Sequence, residues 1–239
     1  RPVYYFAKKN NPETKFISIQ HATVYRNKLG FYHRKDEFIC ESNPSSLPDY
    51  YYVHGIQYKN ILKEYYPEDR IRIIGCLKYD RLFEIKSCIK LISKQVAASV
   101  SKKSGEKIIL LAPSVNDVED ILSCLIDIKI PKKWRILISL HPIISVGKVK
   151  KYIKSLELSH SIEFFLGIQT QKLITISDLV VCGYSTVALE AAVFNVPSVR
   201  ILLSGRPPLT EDEPSVTYCY NEEDFRVFFS VFVKSYDSI

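Results

Sequence analysis

Short apolar runs along this chain alternate with longer segments in which apolar residues recur at helical spacing. Runs at 16–20, 49–53 and 71–75, and again at 108–111, 135–140, 162–165, 179–182 and 199–203, predict strands buried in parallel sheets. A shorter run at 38–40 predicts one more. The segments 56–65, 78–100, 118–128, 148–156, 169–174 and 187–194 predict helices. So does 222–234, where Phe225, Phe228, Phe229 and Phe232 share one helical spacing. Gly, Pro, Ser and His stand where the strands end, as turns require. The alternation predicts an α/β fold of two Rossmann-like units with parallel sheets. A polar link, Ser-Lys-Lys-Ser-Gly at 101–105, divides the series and predicts domains at 1–100 and 106–239.

The stretch 176–197 is the most informative. Leu179-Val180-Val181-Cys182 predicts a buried strand, Gly183-Tyr184 a tight turn, and Ser185-Thr186 the cap of a helix. In open α/β sheets that helix start lies at the carboxyl edge, where ligands bind. Free backbone N–H groups and two hydroxyls would suit an anion there. Glu190, one helical turn after Thr186, could accept hydrogen bonds from a ribose. An ordinary capped helix accounts for the same residues. Ser114 and His141 stand at two other strand ends of the second unit and face the same edge. Pro142 stiffens the turn after His141, whose ring could donate to a phosphate. Capping of a turn is the alternative for His141.

Composition narrows the classes. With 46% hydrophobic and 25% charged residues, the 239-residue chain can build a sizeable core. It has neither a signal-peptide pattern nor the run of roughly 18–20 apolar residues that spanning a bilayer requires. The six cysteines are scattered, which argues for reduced thiols in a cytoplasmic protein and against a zinc site or disulfide framework. A net charge of +7 points to an anionic ligand or an anionic membrane surface. No nucleic-acid motif accompanies the charge, so nucleic acid is not expected as a partner. Asp117, Glu119 and Asp120 read as first-turn carboxylates that suit a helix dipole. Lys148, Lys150, Lys151 and Lys154 read as a solvated helix face that could also touch lipid head groups, and the aromatics of 222–234 read as core. The chain opens on Arg1 with an apolar segment and contains no methionine, consistent with an incomplete amino-terminal part.

Ser139-Leu140-His141-Pro142, followed by Gly183-Tyr184-Ser185-Thr186-Val187-Ala188-Leu189-Glu190-Ala191, resembles the HP and S-S/T motif pair of bacterial sialyltransferases. It also resembles related transferases that use Kdo, other nonulosonic acids or polyol phosphates. Ile73-Ile74-Gly75 with Tyr79-Asp80-Arg81-Leu82 resembles the end of the first domain in capsule and teichoic-acid transferases, and Gln20-His21-Ala22 their Q-H-G turn. The resemblance implies a GT-B-like fold, two Rossmann-like domains facing a cleft. It implies an acceptor-side first domain and a nucleotide-donor second domain, with a carboxyl-terminal helix that packs back across the first. By match of motif, His141, Ser185 and Thr186 bind the donor's nucleotide phosphate; His21 is the candidate catalytic base or acceptor-binding group, His54 a second candidate of the same kind, and a structural role is the alternative for each of these two. The acidic D/E-D/E-G triplet that sialyltransferases often use is missing here.

The expectation is an inverting, metal-independent transferase without a cofactor. It would move a nonulosonic acid such as sialic acid or Kdo from a CMP-linked donor to a surface-glycan or lipid-linked acceptor. Its place would be cytoplasmic, on the inner membrane face if peripheral. The alternatives are a CDP-polyol or UDP-sugar transferase of the same fold, or a non-catalytic binding subunit of that fold.

Overall fold

The computed structural model describes residues 2–20, 24, 47–126, 128–158, 160–203, 205 and 215–237. His21 and the strand expected at 38–40 lie outside the described residues. The chain divides into two compact units, Arg1–Lys78 and Tyr79–Ile239.

In the first unit, β1 (Ile17–Ile19), β2 (Tyr50–Val53) and β3 (Ile71–Ile73) pair in parallel in that order. Helix α1 (Pro2–Asn10) precedes β1, and α2 (Ile56–Leu62) follows β2. Val53, Tyr58, Leu62, Tyr66 and Ile71 close a small core. The apolar segment at the chain's start is thus a helix, which its mixed Tyr, Phe and Lys content did not signal.

The second unit holds a six-stranded sheet, all of whose pairs are parallel, in the order β6-β5-β4-β7-β8-β9. Its strands are β4 (Lys107–Leu111), β5 (Trp134–Ile138), β6 (Ile162–Phe164), β7 (Leu179–Cys182), β8 (Ser198–Ile201) and β9 (Val216–Cys219). The first helices of the unit are α3 (Leu77–Ser87), which starts just before the division, and α4 (Ile89–Ser99). Then come α5 (Val118–Ser123), α6 (Val146–Ser155), α7 (Thr170–Ile174), α8 (Val187–Val193) and α9 (Glu222–Asp237).

Side chains alternate between faces along a strand. Ile109, Leu111, Ile136, Ile138, Leu179, Val181, Val199 and Ile201 accordingly join one core with residues of α5, α6 and α9. Ile108, Leu110, Leu137 and Val180 join the other, with residues of α3, α4, α7 and α8. Burial on both faces is why these strands read as unbroken apolar runs.

One expectation is corrected. The division falls at Lys78/Tyr79 and not at 101–105, because Val96 of α4 and Val100, which caps it, are buried with Ile108 and Leu110 of β4. The polar link is a surface turn within the second unit. Within the second unit, Phe225 and Phe229 of α9 enter the sheet core, Phe228, Phe232 and Tyr236 pack against it half-buried, and Trp134 lies 5.9 Å from Phe232 and 5.6 Å from Tyr236, ring to ring. Among the described residues, no helix is long and apolar enough to cross a membrane.

Candidate functional site

The chain of the second unit builds outward from β4 to β5 and β6, then returns to place β7 on the other flank of β4. This reversal makes a switch point between the carboxyl ends of β4 and β7, the position where doubly wound sheets take ligands. The loop after β4 carries Ser114, and the loop after β7 is Gly183-Tyr184-Ser185-Thr186. The loop after β5, on the other side of β4, carries His141.

A carboxylate fills the switch point. Asp117 is fully buried, and its Oδ1 accepts from Ser114 N–H at 2.7 Å. Its Oδ2 accepts from Tyr184 N–H at 2.8 Å and from the Ser114 hydroxyl. A Cβ on Gly183 would stand 2.5 Å from that oxygen, so the position has room only for glycine. From the opposite side Arg200 of β8, 1% exposed, donates to Gly183 C=O and Ser185 C=O, each at 2.6 Å.

The expected cap of α8 is shared differently. Thr186 holds the cap position without a side-chain cap bond, whereas Ser185 Oγ accepts from Val187 N–H at 3.3 Å. The Thr186 hydroxyl instead donates to Glu190 Oε1 at 3.3 Å. Glu190, 1% exposed, also accepts from Gln171 Nε2 at 2.8 Å. Both of its oxygens are therefore engaged inside the protein. Ser139 and Thr170 share a hydroxyl–hydroxyl bond of 2.8 Å, so α7 is tied to the loop after β5 as well as to α8.

His141 and Pro142 are exposed at the start of a turn closed by Ile144 N–H on His141 C=O at 2.9 Å. Ile143 N–H points at His141 Nδ1 from 3.4 Å. Accepting there leaves the hydrogen of the neutral ring on Nε2, as a donor. A cavity of about 310 Å³ opens beside this turn, lined by Asn116, Glu119, Ile144, Ser145, Lys148 and Tyr152 among others. Burial raises the Tyr152 phenol above its ordinary value, and Glu119, Asp120 and Glu222 add to the effect.

In the first unit, His54 stands just after β2. Its Nε2 is 2.8 Å from Gln20 C=O, and its N–H donates to Gln20 Oε1 at 2.8 Å. A carbonyl only accepts, so His54 Nε2 carries the hydrogen.

The structure thus joins Ser114 and the 183–186 loop through Asp117, and Thr186 and Glu190 directly. It places His141 at the same edge one strand away, and His54 in the other unit. Asp117, Arg200, Gln171 and Thr170 were not singled out as site residues by the sequence pattern. Arg200 had a signal, a charged residue inside an apolar strand. Asp117 looked like a helix-start carboxylate, and its partner Tyr184 lies 67 positions away.

Parallel sheets of this kind define the chain as a GT-B-like α/β protein. Solved structures agree on the fold. A glycosyltransferase from Rickettsia africae ESF-5 aligns at a TM-score of 0.64 and 16% identity, over 96% of this chain and 63% of that one. The UDP-GlcNAc 2-epimerase from Neisseria meningitidis, solved bound to UDP-GlcNAc, aligns at 0.62 and 18%, over 84% and 59%. The UDP-GlcNAc 2-epimerase from Methanocaldococcus jannaschii aligns at 0.56 and 18%, over 77% and 55%. The chain thus spans about three fifths of the length of these proteins. No curated protein sequence matches it. Residues 2–201 match the CDP-Glycerol:Poly(glycerophosphate) glycerophosphotransferase family, and the chain belongs to that family. The match favours the polyol-phosphate side of the resemblance over the sialic acid and Kdo side.

Proposed function

We propose that this protein transfers glycerol phosphate from CDP-glycerol to a hydroxyl of a growing poly(glycerophosphate) chain. The family match over residues 2–201 carries this reading, since it covers the first unit and most of the second. The CDP-polyol donor, first the alternative to a CMP-sugar, becomes the main reading.

In this reaction an acceptor hydroxyl attacks the phosphorus that bears glycerol. The bond from that phosphorus to the bridging oxygen breaks, and the electron pair leaves with CMP. Negative charge therefore grows on the CMP phosphate, where hydrogen-bond donors act most strongly. Nε2 of His141 and the hydroxyls of Ser185 and Thr186 are the donors assigned to it, with Ser114 beside them and Pro142 holding the His141 turn. Glu190 would exchange Thr186 for a ribose hydroxyl, which frees the one hydroxyl hydrogen of Thr186 for the phosphate. His21 is the candidate base for the acceptor proton, and the first unit the candidate acceptor side. An acceptor built of phosphodiesters is polyanionic, which suits a chain of net charge +7.

The test is CMP release from CDP-glycerol with and without a short poly(glycerophosphate) primer, beside calorimetric titration with CMP, CDP, UDP and GDP. Primer-dependent CMP release and preference for cytidine nucleotides are expected. Tighter binding of UDP or GDP, or no release with any primer, would defeat the reading.

A further inference from the structure

The loop 183–186 is gripped by two buried ions of opposite sign. Asp117 takes Tyr184 N–H on one side and ties it to Ser114 N–H and the Ser114 hydroxyl. Arg200 takes the carbonyls of Gly183 and Ser185 on the other. Burying ions costs several kcal/mol each before their partners offset it. A tight turn after a strand needs neither ion to form. The backbone N–H groups of Ser114 and Tyr184 are also the donors that a phosphate at the switch point would use. Asp117 occupies both, so a carboxylate of the protein already sits in the anion cradle.

We propose that Asp117 and Arg200 are positioning residues for the donor. They fill the backbone cradle at the switch point and lock the loop, so that the donor phosphate is received by the side chains of Ser185 and Thr186 and not by backbone amides. This rests on the donor-site reading above. A second phosphate group pushed into the crevice would meet the Asp117 charge, and the loop's carbonyls are turned away to Arg200. The device thus sets where the phosphate stops.

Asp117→Asn keeps the shape but turns one acceptor into a donor facing an N–H group. Arg200→Lys keeps the charge but loses the rigid planar guanidinium whose Nη1 donates to both carbonyls. Both variants are made in the full chain, and CMP binding is titrated by calorimetry alongside the thermal midpoint and amide exchange at 183–186. CMP affinity should fall about tenfold in Asp117→Asn, equal to about 1.4 kcal/mol, and less in Arg200→Lys. Exchange at 183–186 should quicken while the rest of the second unit exchanges as in the wild type. Where Asp117→Asn does not fold, Arg200→Lys decides. Wild-type CMP affinity in folded variants, or unchanged exchange at 183–186, overturns the proposal and leaves the donor site standing. A wild-type protein that does not bind CMP removes the donor-site reading, and this proposal with it.

Discussion

Gln20 and His54 hold each other twice: the Gln20 carbonyl accepts from His54 Nε2–H, and the Gln20 side chain accepts from the His54 backbone N–H, both at 2.8 Å. Gln20 is buried, and the tie joins the end of β1 to the end of β2. His54 therefore has a structural partner at the nitrogen that carries its hydrogen. His54→Ala should destabilise the first unit by about 1–3 kcal/mol, the cost of leaving a buried acceptor unpaired. Denaturant unfolding measures it, and a change within error would show that the tie contributes nothing.

His21 follows Gln20 directly, and a base role for it separates catalysis from donor binding. His21→Ala should lower the rate of transfer by about 10²–10⁴ while leaving CMP affinity unchanged. Steady-state rates and titration on the same preparation distinguish the two. Loss of activity in His54→Ala with His21→Ala fully active would exchange the assignments.

At the donor side, His141→Ala and the pair Ser185→Ala/Thr186→Ala should each weaken nucleotide binding. Each charge-assisted hydrogen bond lost costs on the order of 1.5–3 kcal/mol. His141 is exposed, so its variant should keep the thermal midpoint. The Thr186 change also removes a donor to buried Glu190, so the double variant should lose some stability. Unchanged affinity in both would dismiss these residues as donor ligands.

Gly183→Ala places a methyl group 2.5 Å from Asp117 Oδ2. Overpacking of this kind typically costs about 1–3 kcal/mol. Combining it with Asp117→Ala should recover part of that loss, because the carboxyl atoms at 2.5 and 2.6 Å are gone and only the Cβ at 2.9 Å remains, and the two changes should be non-additive. Strict additivity in thermal or denaturant unfolding would mean that the contact is not felt.

Stability should also fall at alkaline pH. Burial pushes the Cys124 and Cys219 thiols up to about 12 from an ordinary value of 9.0. Between those values the unfolded chain releases protons that the native state keeps, so stability is lost as pH rises from about 9 towards 12. A Cys124→Ala/Cys219→Ala variant should show a shallower fall in unfolding free energy over that range. An identical slope would assign the loss to other groups. At neutral pH in the native protein, exposed Cys88 should react with a maleimide and these two should not.

The order of strands and helices was legible in the chain because each buried parallel strand needs an apolar run and each covering helix an apolar stripe. Leu179–Cys182 is the clearest instance, read from four residues and observed at the same four. The weaker strand Val216–Cys219 went unread, since at the sheet edge only its two end residues are buried and its polar middle resembles a loop. Ser185, Thr186 and His141 were legible as strand-end residues because turn chemistry is local. The way they are held was not. Asp117 has the local look of a helix-start carboxylate, yet its bond to Tyr184 exists only once β4 and β7 lie side by side. Arg200 points to carbonyls 17 and 15 positions earlier in the chain, brought to it by the pairing of β7 and β8. Local pattern thus determined which residues reach the sheet edge, because secondary structure depends on near neighbours. Tertiary structure decided which of them are bound to one another, because those bonds join segments that only the folded sheet makes adjacent.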